Sequence, residues 1–139
     1  MNAWPTLSLC ALLALASPSE AQTRWVTINH PGGERVEIDT ADVGITGSGH
    51  IKLWWRLSER VPHSIPSPDS PTATIHWSSL TEQEEIDCHA EETRLVAQTL
   101  YNAAGDAVSV IHADSSASWE EPTPDSVMEL VMRWACKHL

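Results

Sequence analysis

Between residues 49 and 60 the chain reads GHIKLWWRLSER, and its hydrophobic and polar side chains alternate. Ile51, Leu53, Trp55 and Leu57 take one face, while His50, Lys52, Trp54, Arg56 and Ser58 take the other. A period of two sustained over nine residues fits a strand half covered by a core and excludes a helix. The flanking segments follow suit. In RWVTINH, Val26 and Ile28 alternate with Thr27 and Asn29. PGGE (31–34) supplies a turn, and RVEID sets Val36 and Ile38 against Arg35, Glu37 and Asp39. Two such runs joined by Pro-Gly-Gly predict a hairpin.

Residues 61–71, VPHSIPSPDSP, hold four prolines. Proline cannot donate to a ladder, so this stretch is expected to be an extended, mobile loop and no part of a sheet interior. Strand patterns resume from Thr72 to Ala113: IHWSSL (a weak strand), then EEIDC, TRLVAQTLYN, the turn AAGD (103–106) and AVSVIHA. In the long strand Leu95, Ala97 and Tyr101 are expected on one face, with Val96 and Leu100 on the other. Both faces therefore call for partial cover.

The C-terminal segment TPDSVMELVMRWACKHL supplies a candidate. Thr123 reads as an N-cap, Pro124 as the first helical residue, and Asp125 as negative charge in the first turn. Val127, Leu130, Val131 and Trp134 recur at helical spacing. Cys136 falls about 180° around the helix from Val127, so either the last turn frays or the helix rolls to turn Met132 and Cys136 inward.

The chain's start belongs to a different category. LSLCALLALA is too short to span a bilayer, and Ser19 and Ala21 stand at the small-residue positions before a cut after Ala21, as in a secretory signal peptide. Residues 1–21 are thus expected to be removed, leaving a domain over residues 22–139, with Cys10 in the discarded apolar run. The discarded part carries one acid, Glu20, and no base. The 8 basic and 19 acidic groups of the whole become 8 and 18, a net charge of −10. Such a surface repels phosphate backbones, which argues against a nucleic-acid partner. No later run is long enough for a transmembrane helix.

Export leaves Cys88 and Cys136 in an oxidising compartment, where one disulfide is the default. Cys88 lies in EEIDCHAEETRL (84–95), beside His89 and five acids. Neighbouring strand residues point to opposite faces, so Cys88 and His89 cannot readily share a metal ion. A nucleophilic role would need a reduced thiol. The acidic flank is expected to be the solvated side of an outer strand, where it discourages edge pairing.

The ordered set of landmarks resembles the surface-adhesin protein E family. The matching elements are RWVTI, EIDT, IKLWWRL, IDC, TRLVAQTLY, the AAGD turn, WEEPTPDS and RWAC, spread over residues 24–138. The resemblance implies an α+β fold: a single antiparallel β-sheet of about six strands with the C-terminal α-helix packed on one face and held by the Cys88–Cys136 bridge. It also implies a binding role at the bacterial surface or in the periplasm, toward a host, matrix or envelope protein.

Within that frame the candidate contact surface is Lys52, Trp54 and Arg56, joined by His63 of the proline-rich segment. A tryptophan flanked by cations has the composition of a binding hot spot; alternatively Trp54 lies under the helix or under Trp119. Seven histidines (30, 50, 63, 76, 89, 112 and 138) leave open a small-ligand, metal or haem role, although none forms an i, i+4 pair. No metal site and no cofactor are assigned. No G-x-S-x-G or phosphate loop is present, so the chain is not expected to be an enzyme, short of a triad assembled only in space.

Overall fold

The computed structural model describes residues 24–67, 69–114 and 116–139, and of Pro71 the backbone alone. The expected signal peptide lies outside the described residues. Among the described residues, seven strands form one antiparallel sheet: β1 (Trp25–Asn29), β2 (Arg35–Asp39), β3 (Gly44–Ile45), β4 (Ile51–Ser67), β5 (Ser70–Asp87), β6 (Glu92–Tyr101) and β7 (Ala107–His112). One helix, α1 (Val127–His138), follows. The order across the sheet is β1-β2-β4-β5-β6-β7, with β3 paired to β4.

The count is seven rather than about six. Gly44–Ile45 adds a two-residue strand, and IHWSSL and EEIDC are parts of one strand, β5, rather than two. The β1–β2 hairpin stands as its alternation implies, with Trp25 opposite Asp39 and Asn29 opposite Arg35. Its turn needs Gly33 at φ 86°, a conformation that glycine adopts without penalty.

The proline-rich segment is not a loop. β4 runs on to Ser67 and β5 starts at Ser70, pairing His63 with Trp77 and Pro66 with Thr74. The ladder tolerates this because β2 leaves β4 at Ser58 and β6 joins β5 only at Ser79. Residues 59–67 and 70–78 are thus a two-stranded ribbon in which, among the described residues, neither strand pairs with a third. A proline nitrogen turned outward there forfeits no ladder bond. Pro62 falls inside the register shift between Ser58 and His63.

A second irregularity corrects the face assignment of β6. Gln83 pairs with Ala97 but Glu84 pairs with Leu95, leaving Val96 as the extra residue of a bulge. The phase therefore slips by one. Leu95 and Leu100 share the face of Glu84 and Leu80, while Ala97 and Tyr101 share the opposite one.

The core lies between the sheet and α1. Val36, Ile38, Leu53, Trp55 and Ile86 are buried from the sheet, and Val131, Met132 and Ala135 from the helix. Burial of Met132 resolves the geometry of the helix end: the helix rolls toward Met132 and does not fray, so Cys136 remains helical. It reaches Cys88, at the head of the β5–β6 turn, with Cα atoms 5.6 Å apart. Asp87 holds that turn by accepting from the backbone N–H groups of His89 and Ala90.

The helix starts three residues later than Thr123 suggests. Ser126 is the N-cap, its hydroxyl accepting from Glu129 N–H at 3.2 Å, and the Glu129 carboxylate in turn accepts from Asp125 N–H at 2.6 Å. The Ser-x-x-Glu pair satisfies two helix-start donors at once, which a Thr123 cap cannot match. Replacing Ser126 by alanine is expected to cost about 1 kcal/mol of stability, read from urea denaturation; an unchanged midpoint would place the cap elsewhere.

Candidate functional site

Because α1 occupies one face of the sheet, the two faces differ in chemistry. Lys52, Trp54 and Arg56 alternate with the buried Ile51, Leu53, Trp55 and Leu57, which places all three side chains on the face away from the helix. Each is half-buried. His63 is not brought to them. It lies on the ribbon beyond the register shift, exposed, and stacks on Trp77 with ring centroids 4.8 Å apart.

The helix-free face is held by ion pairs that sequence patterning does not reveal. Glu37 accepts from Arg56 Nε at 2.7 Å and from Arg35 at 2.9 Å, and these bonds, the one from Arg56 foremost, hold its carboxyl below the usual range against the cost of burial. Arg24 pairs with the fully buried Asp39. Burial pushes Glu85 up, but bonds from Arg94 and His50 more than offset this and keep it low. Two guanidinium groups also lie over indole rings: Arg56 on Trp25 at 4.3 Å and Arg94 on Trp119 at 4.8 Å. Trp119 meets His50 edge-on, so it caps the Glu85 end of this face rather than covering Trp54.

The acidic flank of Cys88 is therefore not the solvated side of an outer strand. β5 is central, and Glu84 and Glu85 are buried on opposite faces. The signal was present in the sequence: in LTEQEEI, Glu82 and Glu84 stand in phase with Leu80 and Ile86, on the core side.

On that side lies a cavity of about 630 Å³, between β5, β6, Ala113, the segment from Ala117 to Thr123 and the start of α1. Trp55, Glu82, Glu84 and Glu120 line it. Burial, with Glu82 and Glu120 nearby, pushes the Glu84 carboxyl up to about 8. Glu82 is raised for the same first reason, although Gln98 donates to it.

The histidines are dispersed. Among the described residues no three His, Cys, Asp or Glu groups are placed to hold one metal ion. Ser64 and His76 bond at 2.8 Å, but both are exposed on the ribbon. Among the described residues no helix is long and apolar enough to cross a membrane.

A family model described as surface-adhesin protein E matches residues 25–137. No curated protein and no solved structure matches the chain.

Proposed function

The chain belongs to the surface-adhesin protein E family, and from that premise we propose that it is a non-enzymatic, exported module that binds another protein through the helix-free face of its sheet. The observation that carries this reading is the composition of that face. Trp25, Trp54 and Trp119 stand there half-buried among Arg35, Lys52, Arg56 and Arg94. Tryptophan and arginine are the residues most enriched where a few contacts supply most of a binding energy. The cations on it also give a chain of net charge −11 one face that does not repel an acidic partner. Arg56 and Arg94 are already stacked and ion-paired, so little side-chain entropy is lost on docking.

The partner class is a host matrix protein or another envelope protein. Surface plasmon resonance against a panel of immobilised matrix and envelope proteins tests this, using the purified chain and three variants. Trp54→Ala is expected to weaken the productive interaction at least tenfold and Lys52→Glu a few-fold, while Arg133→Glu on the exposed side of α1 leaves it unchanged. Equal losses in all three, or loss in Arg133→Glu alone, would remove this face as the contact surface.

A further inference from the structure

The cavity beside α1 carries a second reading, independent of the first, because two residues of its wall hold buried polar atoms that nothing in the fold satisfies. Trp55 Nε1 and Glu84 Oε2 belong to side chains only 4% and 5% exposed, and neither has a hydrogen-bond partner. A buried donor or acceptor left unmade costs about 1–3 kcal/mol, so two at one cavity mark something to be filled. Glu82 stands directly opposite Trp55 across the β4–β5 ladder. Glu84 is therefore the diagonal neighbour of Trp55 on the same face, about 7–8 Å away between Cα atoms. Once these two side chains turn their polar atoms into the cavity, one small molecule with a donor and an acceptor on adjacent atoms can bridge the pair.

The charge of the lining selects among ligands. Glu82 comes from β5, Glu120 and Glu121 from the segment before α1, and among the described residues no lysine, arginine or histidine faces the cavity. β6 contributes Thr93 and Leu95, and α1 contributes Met128, none of them titratable. An anion is excluded by repulsion, and a divalent metal finds no set of three donors among the described residues. The volume lies within the range of small-molecule sites.

We propose that this cavity binds an organic primary ammonium ion with a hydrogen-bond acceptor on the neighbouring carbon, the group shared by peptide N-termini and amino sugars. The ammonium donates to Glu84 and Glu82, and the adjacent carbonyl or hydroxyl oxygen accepts from Trp55 Nε1–H. In the empty cavity Glu84 keeps its proton until about pH 8, so cation binding displaces that proton. Affinity then falls as the solution is made more acid.

The test follows the indole N–H signal of Trp55 in the ¹⁵N-labelled, disulfide-bonded chain as probe is added to millimolar concentration. Alaninamide represents a peptide N-terminus, glucosamine an amino sugar, and propionamide is the neutral control. The proposal expects a saturable shift with one or both cations, and their difference identifies the source. Binding at about pH 5.5 should be at least tenfold weaker than at about pH 7.5, and Glu84→Gln should lose at least tenfold at the higher pH. Glu84→Gln removes a buried acid and is not expected to unfold the chain; Met128→Trp, which fills the space, provides a second loss-of-binding variant. Absence of a saturable Trp55 shift with both cations would overturn the assignment. So would equal binding of propionamide, or unchanged affinity in Glu84→Gln.

Discussion

Reducing the Cys88–Cys136 bridge, or replacing Cys136 by alanine, is expected to lower the free energy of unfolding by about 4 kcal/mol. The bridge joins residues 48 apart in sequence, and the loop-closure entropy it removes from the unfolded chain corresponds to that amount. For a small domain with a total of about 5–15 kcal/mol this is a large fraction. The loss also has a place in the structure. With 12 residues, α1 is too short to persist alone in water, and it stays helical because Val131, Met132 and Ala135 are buried against the sheet. Freed at its C-terminal end, the helix should loosen there first, exposing Ala135 and the sheet residues beneath it. Urea denaturation of oxidised and reduced chain, followed by circular dichroism, measures the effect. Identical midpoints would mean that burial alone holds the helix.

A second large effect concerns Glu84. Its carboxyl has the ordinary value of 4.5 in the unfolded chain and about 8 in the folded one. Between those pH values the folded state holds a proton that the unfolded state has released. Stability therefore falls as pH rises from about 5 to about 8, by at most about 1.4 kcal/mol per pH unit. Over the whole interval the loss is on the order of 3–5 kcal/mol, and Glu82, raised in the same direction, adds to it. Glu37 and Glu85 act oppositely: held low by arginine bonds, they lose their contribution as pH drops below the ordinary carboxylate range. The two trends place maximum stability in mildly acid solution. Glu84→Gln keeps the shape without the titration, so it should stabilise the chain by a few kcal/mol near pH 8.5 and flatten the alkaline side of the profile. A variant that tracks the parent across pH 5–9 would show that Glu84 is not the group responsible.

Much of the fold was legible because strand alternation is a local property. Ile51, Leu53, Trp55 and Leu57 announce a buried face without reference to anything else in the chain, and the Pro-Gly-Gly and Ala-Ala-Gly-Asp turns announce hairpins. The failures arose where a neighbour decides. Proline excludes a residue from a flanked strand, yet among the described residues no third strand pairs with the ribbon of residues 59–67 and 70–78, a fact set by where β2 and β6 stop. The bulge at Val96 shifts the phase of β6 through its partner, not its own pattern. Glu84 is the exception: its phase with Leu80 and Ile86 is a local signal of the core side, masked only by the acidic run around it.

The candidate surface was legible in part. Lys52, Trp54 and Arg56 do share the helix-free face, because two-residue spacing fixes that much. That Arg56 lies over Trp25 and bonds Glu37 depends on registers no single segment encodes. Ser126 and Glu129 are a different case: their spacing is a complete local signal, but Thr123-Pro124 offers a competing one just upstream.

The six tryptophans beyond residue 21 allow the central claim, that one face is closed by the helix and the other recognises protein, to be tested in a single titration. When a binding protein from the panel is added to the ¹⁵N-labelled chain, the indole N–H signals of Trp54, and with it Trp25 and Trp119, should shift or broaden. Those of Trp55 and Trp134, on the helix side, should stay in place. Perturbation of Trp134 with Trp54 unmoved would contradict the account.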